Sequence, residues 1–304
     1  MTLRLCSILL LLCSCAGTKK NDTAALEVCI LRGPSAIALA ALVNDTAALK
    51  EYKLSVKLLD TPEQMQARLV KHQADIAVLP MTAAANLYNK GTGYRLAGCP
   101  VWGTLYIVGR DSAIREPIGL FGAGTTPDIL ARYYGETHGL PVTGNTFTYA
   151  YPSARETLLA LLSGRLQTAV LSEPFVSMAL KRDTALRIVA DLNRPEGEAY
   201  GFPQTAVVIR PELSGLLPAL DSLLQASARR ATEYPEETIR LLEQADIFAP
   251  GMLSPEGVRR CRLAYRPAAE IRRETDRFLG LIYRYEPRAI GNRLPDAAFI
   301  PERP

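Results

Sequence analysis

Histidine and tryptophan are scarce in this chain of 304 residues, with two of the first and one of the second. Chemistry that rests on imidazole, as metal ligand or as general base, therefore has little to draw on. His72 falls beside Lys71 and Gln73 at a predicted helix end, and His138 precedes Gly139 at another. Both places suit a side chain that faces solvent near the negative end of a helix dipole. HExxH, GxSxG and phosphate-loop patterns are all missing, so no catalytic residue, metal site or cofactor is expected. The formal charge is only +4, or +3 without Arg4, too weak a field to argue for a nucleic-acid partner. Beyond the first residues, no apolar run approaches the ~20 residues that a membrane-spanning helix requires.

What the chain does have begins at its start. Arg4 precedes an apolar run from Leu5 to Leu12, which small residues close in Leu12-Cys13-Ser14-Cys15-Ala16-Gly17. One basic residue, a short apolar run and small residues form a signal-peptide layout over 1–14. Leu12, Cys13 and Ser14 resemble a bacterial lipobox, which implies cleavage before Cys15 and lipid on that cysteine. Cys13 fits less well, because Leu12 would then occupy the small position. Residues 15–25 are small and polar, suiting a flexible tether. The expectation is a protein of the cell envelope, lipid-anchored and facing the periplasm or the cell exterior. Cys29, Cys99 and Cys261 remain, an odd number, so a buried free thiol is expected for each.

Internally, the chain repeats itself at an offset of 92 residues. Thr61-Pro62-Glu63-Gln64 and Ser153-Ala154-Arg155-Glu156 both read as capping boxes, in which a hydroxyl and a Glu or Gln satisfy free helix N–H groups. Each is followed by a helix, a short apolar strand (Ile76–Leu79, Ala169–Leu171) and a turn (Pro80-Met81-Thr82, Ser172-Glu173-Pro174). Upstream, Val28–Leu31 runs into Gly33-Pro34-Ser35, and Ile118–Phe121 into Gly122–Pro127, with Thr126 as N-cap before Pro127. Strands alternating with helices predict an α/β fold of two lobes with covered parallel sheets. The first lobe takes 26–109 and 204–304, the second 110–203, with crossovers near Val108–Asp111 and Gly201–Gln204 as a two-strand hinge. From Leu213 onward the chain is mostly amphipathic helix, with Leu216, Leu217, Leu220, Leu223 and Leu224 on one stripe and Ile271, Phe278 and Ile282 on another. That helical part is expected on the first lobe.

Seven segments carry a resemblance: LRGPSAIALAAL (31–42), ADIAVLPMTAAANLYNKG (74–91), VWGTLYIV (101–108), GAGTTPDIL (122–130), LSEPFVSMALK (171–181), PAAE (267–270) and IGNRLPDAAF (290–299). In this order the chain resembles the substrate-binding proteins of ABC importers in the nitrate/sulfonate/taurine group. The resemblance implies the type II periplasmic-binding fold, and a monomer that hands a small-molecule solute to an ABC permease and its ATPase. The same fold serves pyrimidine-synthase-like and menaquinone-pathway enzymes, and ligand-sensing surface lipoproteins form a third possibility. No cysteine cluster resembles the synthase motif, and the export signal argues against a cytosolic enzyme.

Ligands of open α/β sheets bind beyond the carboxyl ends of strands, where helix N-termini also point. Four such turns converge on this reading: Arg32-Gly33-Pro34-Ser35, Met81-Thr82, Gly124-Thr125-Thr126 and Glu173-Pro174. Ser35, Thr82, Thr125 and Thr126 are candidate donors, and Gly124 lets the backbone approach a ligand. Arg32 could meet an anion or form a salt bridge, Trp102 could stack on a ligand or pack in the core, and Glu173 could bind a cation or cap its helix. Eleven arginines lie between Arg259 and Arg303. They read as solvated helix faces, with anionic lipid or a permease as the alternative.

Overall fold

A computed structural model describes residues 25–302, apart from 44–47, 141, 143 and 196–199. The signal peptide, Cys15 and most of the tether lie outside the described residues.

The chain opens with β1 (Ala25–Leu31), α1 (Pro34–Ala38), β2 (Ala48–Leu49), β3 (Tyr52–Leu59), α2 (Pro62–Val70), β4 (Ile76–Pro80), α3 (Met81–Asn89) and β5 (Arg95–Val101). It continues through β6 (Leu105–Gly109), β7 (Ile118–Gly119), α4 (Thr126–Thr137), β8 (Phe147–Thr148), α5 (Ala154–Leu162), β9 (Thr168–Ser172), α6 (Phe175–Arg182) and β10 (Arg187–Asp191). The last part holds β11 (Thr205–Ile209), α7 (Leu217–Glu233), α8 (Pro235–Gln244), α9 (Pro255–Arg260), β12 (Leu263–Pro267) and α10 (Arg272–Tyr285).

The strands form two sheets, ordered β12-β5-β11-β4-β1-β3-β2 and β10-β6-β9-β7-β8. Their cores correspond strand for strand. In each, a central strand (β1, β7) pairs in parallel with two neighbours, and the next strand along is antiparallel (β11 on β4, β6 on β9). Those antiparallel strands are the ones that arrive from the other lobe. The fold is thus the expected two-lobed α/β architecture, and the repeat places β4 and β9 as equivalents.

One boundary differs from the sequence reading. The sequence ends the first lobe at residue 109 and crosses over at Val108–Asp111, yet β6 lies in the second sheet between β9 and β10. The crossing falls at Trp102-Gly103-Thr104, between β5 and β6. The apolar run is continuous across it because both flanking strands are buried, so hydrophobicity alone does not mark the change of sheet.

Strand residues alternate between cores. Val28 and Ile30 of β1, with Ile76 and Val78 of β4, face a cluster completed by Leu217, Leu220 and Leu224 of α7. Cys29, Ala77 and Leu79 face the opposite cluster, which takes in Phe278, Leu279 and Ile282 of α10 and continues to Ile129 and Leu130 of α4. Ala169 and Leu171 of β9 face a third, with Leu158 and Leu161 of α5. Half of each capping box forms: Thr61 accepts from the Gln64 amide and Ser153 from that of Glu156, whereas the Gln64 side chain accepts from the Asp60 amide and that of Glu156 from the Ser153 hydroxyl. α7, α8 and α9 belong to the first lobe as expected, while α10 also reaches α4 of the second.

Cys29, Cys99 and Cys261 are buried free thiols. Burial pushes Cys99 up to about 12 and raises Cys29 and Cys261 as well. A protonated, enclosed thiol is a poor nucleophile. None of the three is therefore expected to react with a thiol reagent at pH 8 until denaturant is added; rapid native labelling of any of them contradicts this packing.

Candidate functional site

A cavity of about 400 Å³ opens between the lobes at the ends of β1, β4, β5 and β9. The first lobe supplies Arg32, Pro34, Ser35, Pro80, Thr82 and Ala83, and the second supplies Phe121, Thr125, Thr126, Pro127 and Ser172. Thr104, Gln204 and Thr205, at or beside the crossovers, complete it. A second, mostly apolar chamber of about 260 Å³ shares Leu31, Pro62, Pro80, Thr82, Ala83 and Thr125 with the first, and adds Met65, Leu79, Leu87, Gly124 and Ala289 with the polar Gln66 and Asn86.

Local sequence explains why these residues meet. Gly33, at φ 129, turns the chain from β1 into α1, a conformation that favours glycine. Pro80 ends β4 and is the N-cap of α3, so Thr82 and Ala83 stand in that helix's first turn. Thr126 opens α4. First-turn amides have no carbonyl of their own helix to bond, so α3 and α4 present donors and the positive ends of their dipoles at the cavity.

The hydroxyls facing the cavity are largely uncommitted. Among the described residues, those of Ser35, Thr82, Thr126 and Ser172 take no protein partner, and Thr205 Oγ1 is buried without one. Thr125 differs: its hydroxyl donates to the Gly122 carbonyl at 2.5 Å. Thr125, not Thr126, is the N-cap of α4. Thr125 makes no side-chain cap bond, and Asp128 Oδ2 holds the turn before the helix by accepting from the Gly124 amide at 2.8 Å. Among the described residues, no acidic side chain lines the first chamber, and the one ionisable residue there is Arg32. Arg32 donates to Asp60 at 2.7 Å and to the Asp246 and Ile247 carbonyls at 3.2 and 2.9 Å, so it works as a bridge within the first lobe.

Four candidate residues lie outside the cavity wall: Gly33, which turns the chain so that Pro34 and Ser35 reach it, and Met81, Trp102 and Glu173. Met81 is fully buried in the core below α3. Trp102 is also fully buried, with its indole N–H donating to the Ala264 carbonyl at 2.7 Å and its ring 5.4 Å from that of Tyr200. Glu173 is 2% exposed. Its carboxylate accepts from Arg260 Nε at 2.6 Å and from the Ser177 amide at 3.2 Å. Its charge is spent on α9 of the other lobe and its remaining acceptor on α6. Trp102→Phe is expected to lower stability by about 1–3 kcal/mol, since the Ala264 carbonyl loses its donor, while solute affinity stays unchanged; a loss of affinity in calorimetry would return Trp102 to the site.

Sequence reasoning missed Phe121, Ser172, Thr104, Gln204 and Thr205. Ser172 was within reach, because the 92-residue repeat sets it on Pro80. Gly103, in the middle of an apolar run, marked the crossover beside Thr104. Both histidines are exposed, and among the described residues no group of His, Cys, Asp or Glu could hold a metal ion.

The chain is 46% identical to a protein of Parabacteroides distasonis whose crystal structure is described as that of an ABC transporter; the match covers 93% of this chain and 100% of that one, at a TM-score of 0.88. The chain belongs to the substrate-binding proteins of ABC transporters. Two further solved structures of this fold are less similar to the chain. The ligand-binding component of an ABC-type import system from Staphylococcus aureus, with zinc bound, is 13% identical over 92% of this chain and 97% of its own, at a TM-score of 0.69. The periplasmic aliphatic sulphonate binding protein SsuA of Escherichia coli is 15% identical over 89% and 95%, at 0.67. No protein-family model and no curated protein sequence matches the chain. Among the described residues, no helix of this ABC-transporter binding protein is long and apolar enough to cross a membrane.

Proposed function

We propose that this substrate-binding protein captures a small solute with an oxyanion head, of sulfonate or similar chemistry, between its lobes and delivers it to an ABC permease. The observation that carries the reading is the cavity wall: unpartnered hydroxyls from both lobes, first-turn amides of α3 and α4, and, among the described residues, no acidic side chain in the first chamber. Donors without acceptors fit an acceptor-rich ligand, and a cation finds no counter-charge there. Two related structures of the fold are sulfonate-binding proteins by name, one of them bound to MOPS. Ser35, Thr82, Thr126 and Ser172 hold the head in this reading, with Gly33, Pro34, Gly124 and Thr125 shaping the wall, while Arg32 stays paired with Asp60 at its edge. The apolar second chamber takes the rest of the molecule.

The protein acts outside the cytoplasm as a monomer, lipid-anchored through Cys15 and tethered by residues 16–25. It forms no covalent bond with its solute. Thermal-shift measurements with MOPS, methanesulfonate, taurine, nitrate and bicarbonate test the reading. Stabilisation by at least one sulfonate is expected, because a ligand that binds only the folded state raises the melting temperature. Stabilisation by amines or sugars alone would overturn it.

A further inference from the structure

The two crossovers are joined by one buried side chain. Asn193 is fully buried and uses both atoms of its amide on its neighbours. Its Oδ1 accepts from the Leu105 amide at 2.8 Å and from Gln204 Nε2 at 3.0 Å. Its Nδ2 donates to the Leu105 carbonyl at 2.8 Å and to Asp191 Oδ1 at 2.6 Å. β10 stops at Asp191, and beyond the backbone bond from Leu192 to Leu105 the two side-chain bonds of Asn193 to Leu105 extend its pairing with β6.

Gln204 carries the link to the cavity, which it lines; its Oε1 accepts from Thr104 Oγ1 at 3.0 Å. Backbone bonds close the seam, from Gln204 to Val101, Phe202 to Asn193 and Leu192 to Leu105, at 3.1, 3.1 and 3.2 Å. There is no slack: a Cβ on Gly103 would stand 2.6 Å from that of Asn193, and one on Gly201 2.5 Å from the Trp102 carbonyl.

We propose that Asn193 is the positioning residue of the hinge: through Leu105 and Gln204 it fixes the two crossovers against each other, and the lobes turn about this point. A leucine could fill the space, but only an amide satisfies two donors and two acceptors, and it does so in one geometry. Any other arrangement leaves buried polar groups unpaired. The inference stands apart from the identity of the solute.

Hydrogen exchange by NMR and small-angle scattering on the ligand-free protein test it, using Asn193→Leu and Asn193→Asp. In Asn193→Leu the Leu105 amide is expected to exchange about tenfold faster or more, as befits a lost buried hydrogen bond, and the radius of gyration to increase. Asn193→Asp keeps the acceptor for Leu105 N–H but sets an oxygen against the Leu105 carbonyl and Asp191, to which the amide donated, so its protection should fall between that of the native protein and that of Asn193→Leu. Amides of α5 and α7, far from the seam, should not change in either. Uniformly faster exchange in Asn193→Leu with an unchanged radius of gyration overturns the proposal, since simple space-filling would account for it. Should Asn193→Leu fail to fold, Gln204→Leu cuts one of the four bonds, and the Phe202 and Gln204 amides give the same reading: faster exchange supports the pin, unchanged exchange overturns it.

Discussion

Arg260→Leu is expected to destabilise the protein by about 3–5 kcal/mol, the range seen when one partner of a buried ion pair is removed. The Glu173 side chain is 1% exposed, whereas that of Arg260 is 23% exposed. The pair is therefore asymmetric, and the two members should not cost the same to lose. Without Arg260 the carboxyl group keeps only the Ser177 amide at 3.2 Å, in a site closed to water. The arginine also donates to Ser177 Oγ at 2.9 Å, and its carbonyl accepts from the Tyr106 hydroxyl at 2.7 Å. Glu173→Gln, by contrast, removes the buried charge and leaves a cation that water reaches. Its cost should stay near the ~1.5–3 kcal/mol of a hydrogen bond to a charged group. Urea unfolding at pH 7 separates the two. Equal costs, or a cost below about 1 kcal/mol for Arg260→Leu, would show that the pair is not closed off from water. Neither variant touches the cavity wall, so neither should change solute preference.

Glu173 also shows what a sequence reveals and what it hides. The turn after β9 is legible, because a short apolar strand, a capping box before it and a proline after it each follow local rules. The capping boxes at Thr61 and Ser153, the buried strands at 76–80 and 168–172, and the second crossover are local in the same sense. The partner of Glu173 is not: Arg260 lies 87 positions away, and nothing near Glu173 in the chain announces it. A carboxylate at a helix start is ambiguous between ligand and lattice of the fold until its distant neighbour is known. Trp102 behaves alike, since its acceptor at Ala264 is 162 positions on. For the cavity, the turns at Ser35, Thr82 and Thr126 were legible from strand ends and helix starts, whereas Gln204 and Asn193 depend on how two crossovers pack side by side. Thr125 and Thr126 differ by one residue, and helix starts read from sequence carry that much uncertainty. The structure assigns the turn to one hydroxyl and leaves the other open.

That distinction yields the second large effect. The double variant Thr82→Val, Thr126→Val is expected to weaken binding of the stabilising sulfonate by at least about a hundredfold, since each lost hydrogen bond to a charged acceptor is worth ~1.5–3 kcal/mol. Valine keeps the branched shape, so cavity volume hardly changes. The effect on stability should run the other way. Thr82 and Thr126 are 7% and 9% exposed, and their hydroxyls face the cavity and support no other part of the fold. Replacing them with methyl groups should leave the solute-free melting temperature unchanged or raise it. Stability given up at a binding site and recovered on ligand entry is the expected signature of function. Thr125→Ala serves as the control: its hydroxyl already bonds Gly122, so removing it should disturb the turn before α4 and leave affinity near that of the native protein. Isothermal titration together with thermal unfolding decides the matter. Native affinity in the double variant would take both threonines out of the site, and a lower melting temperature would mean that their hydroxyls support the fold after all.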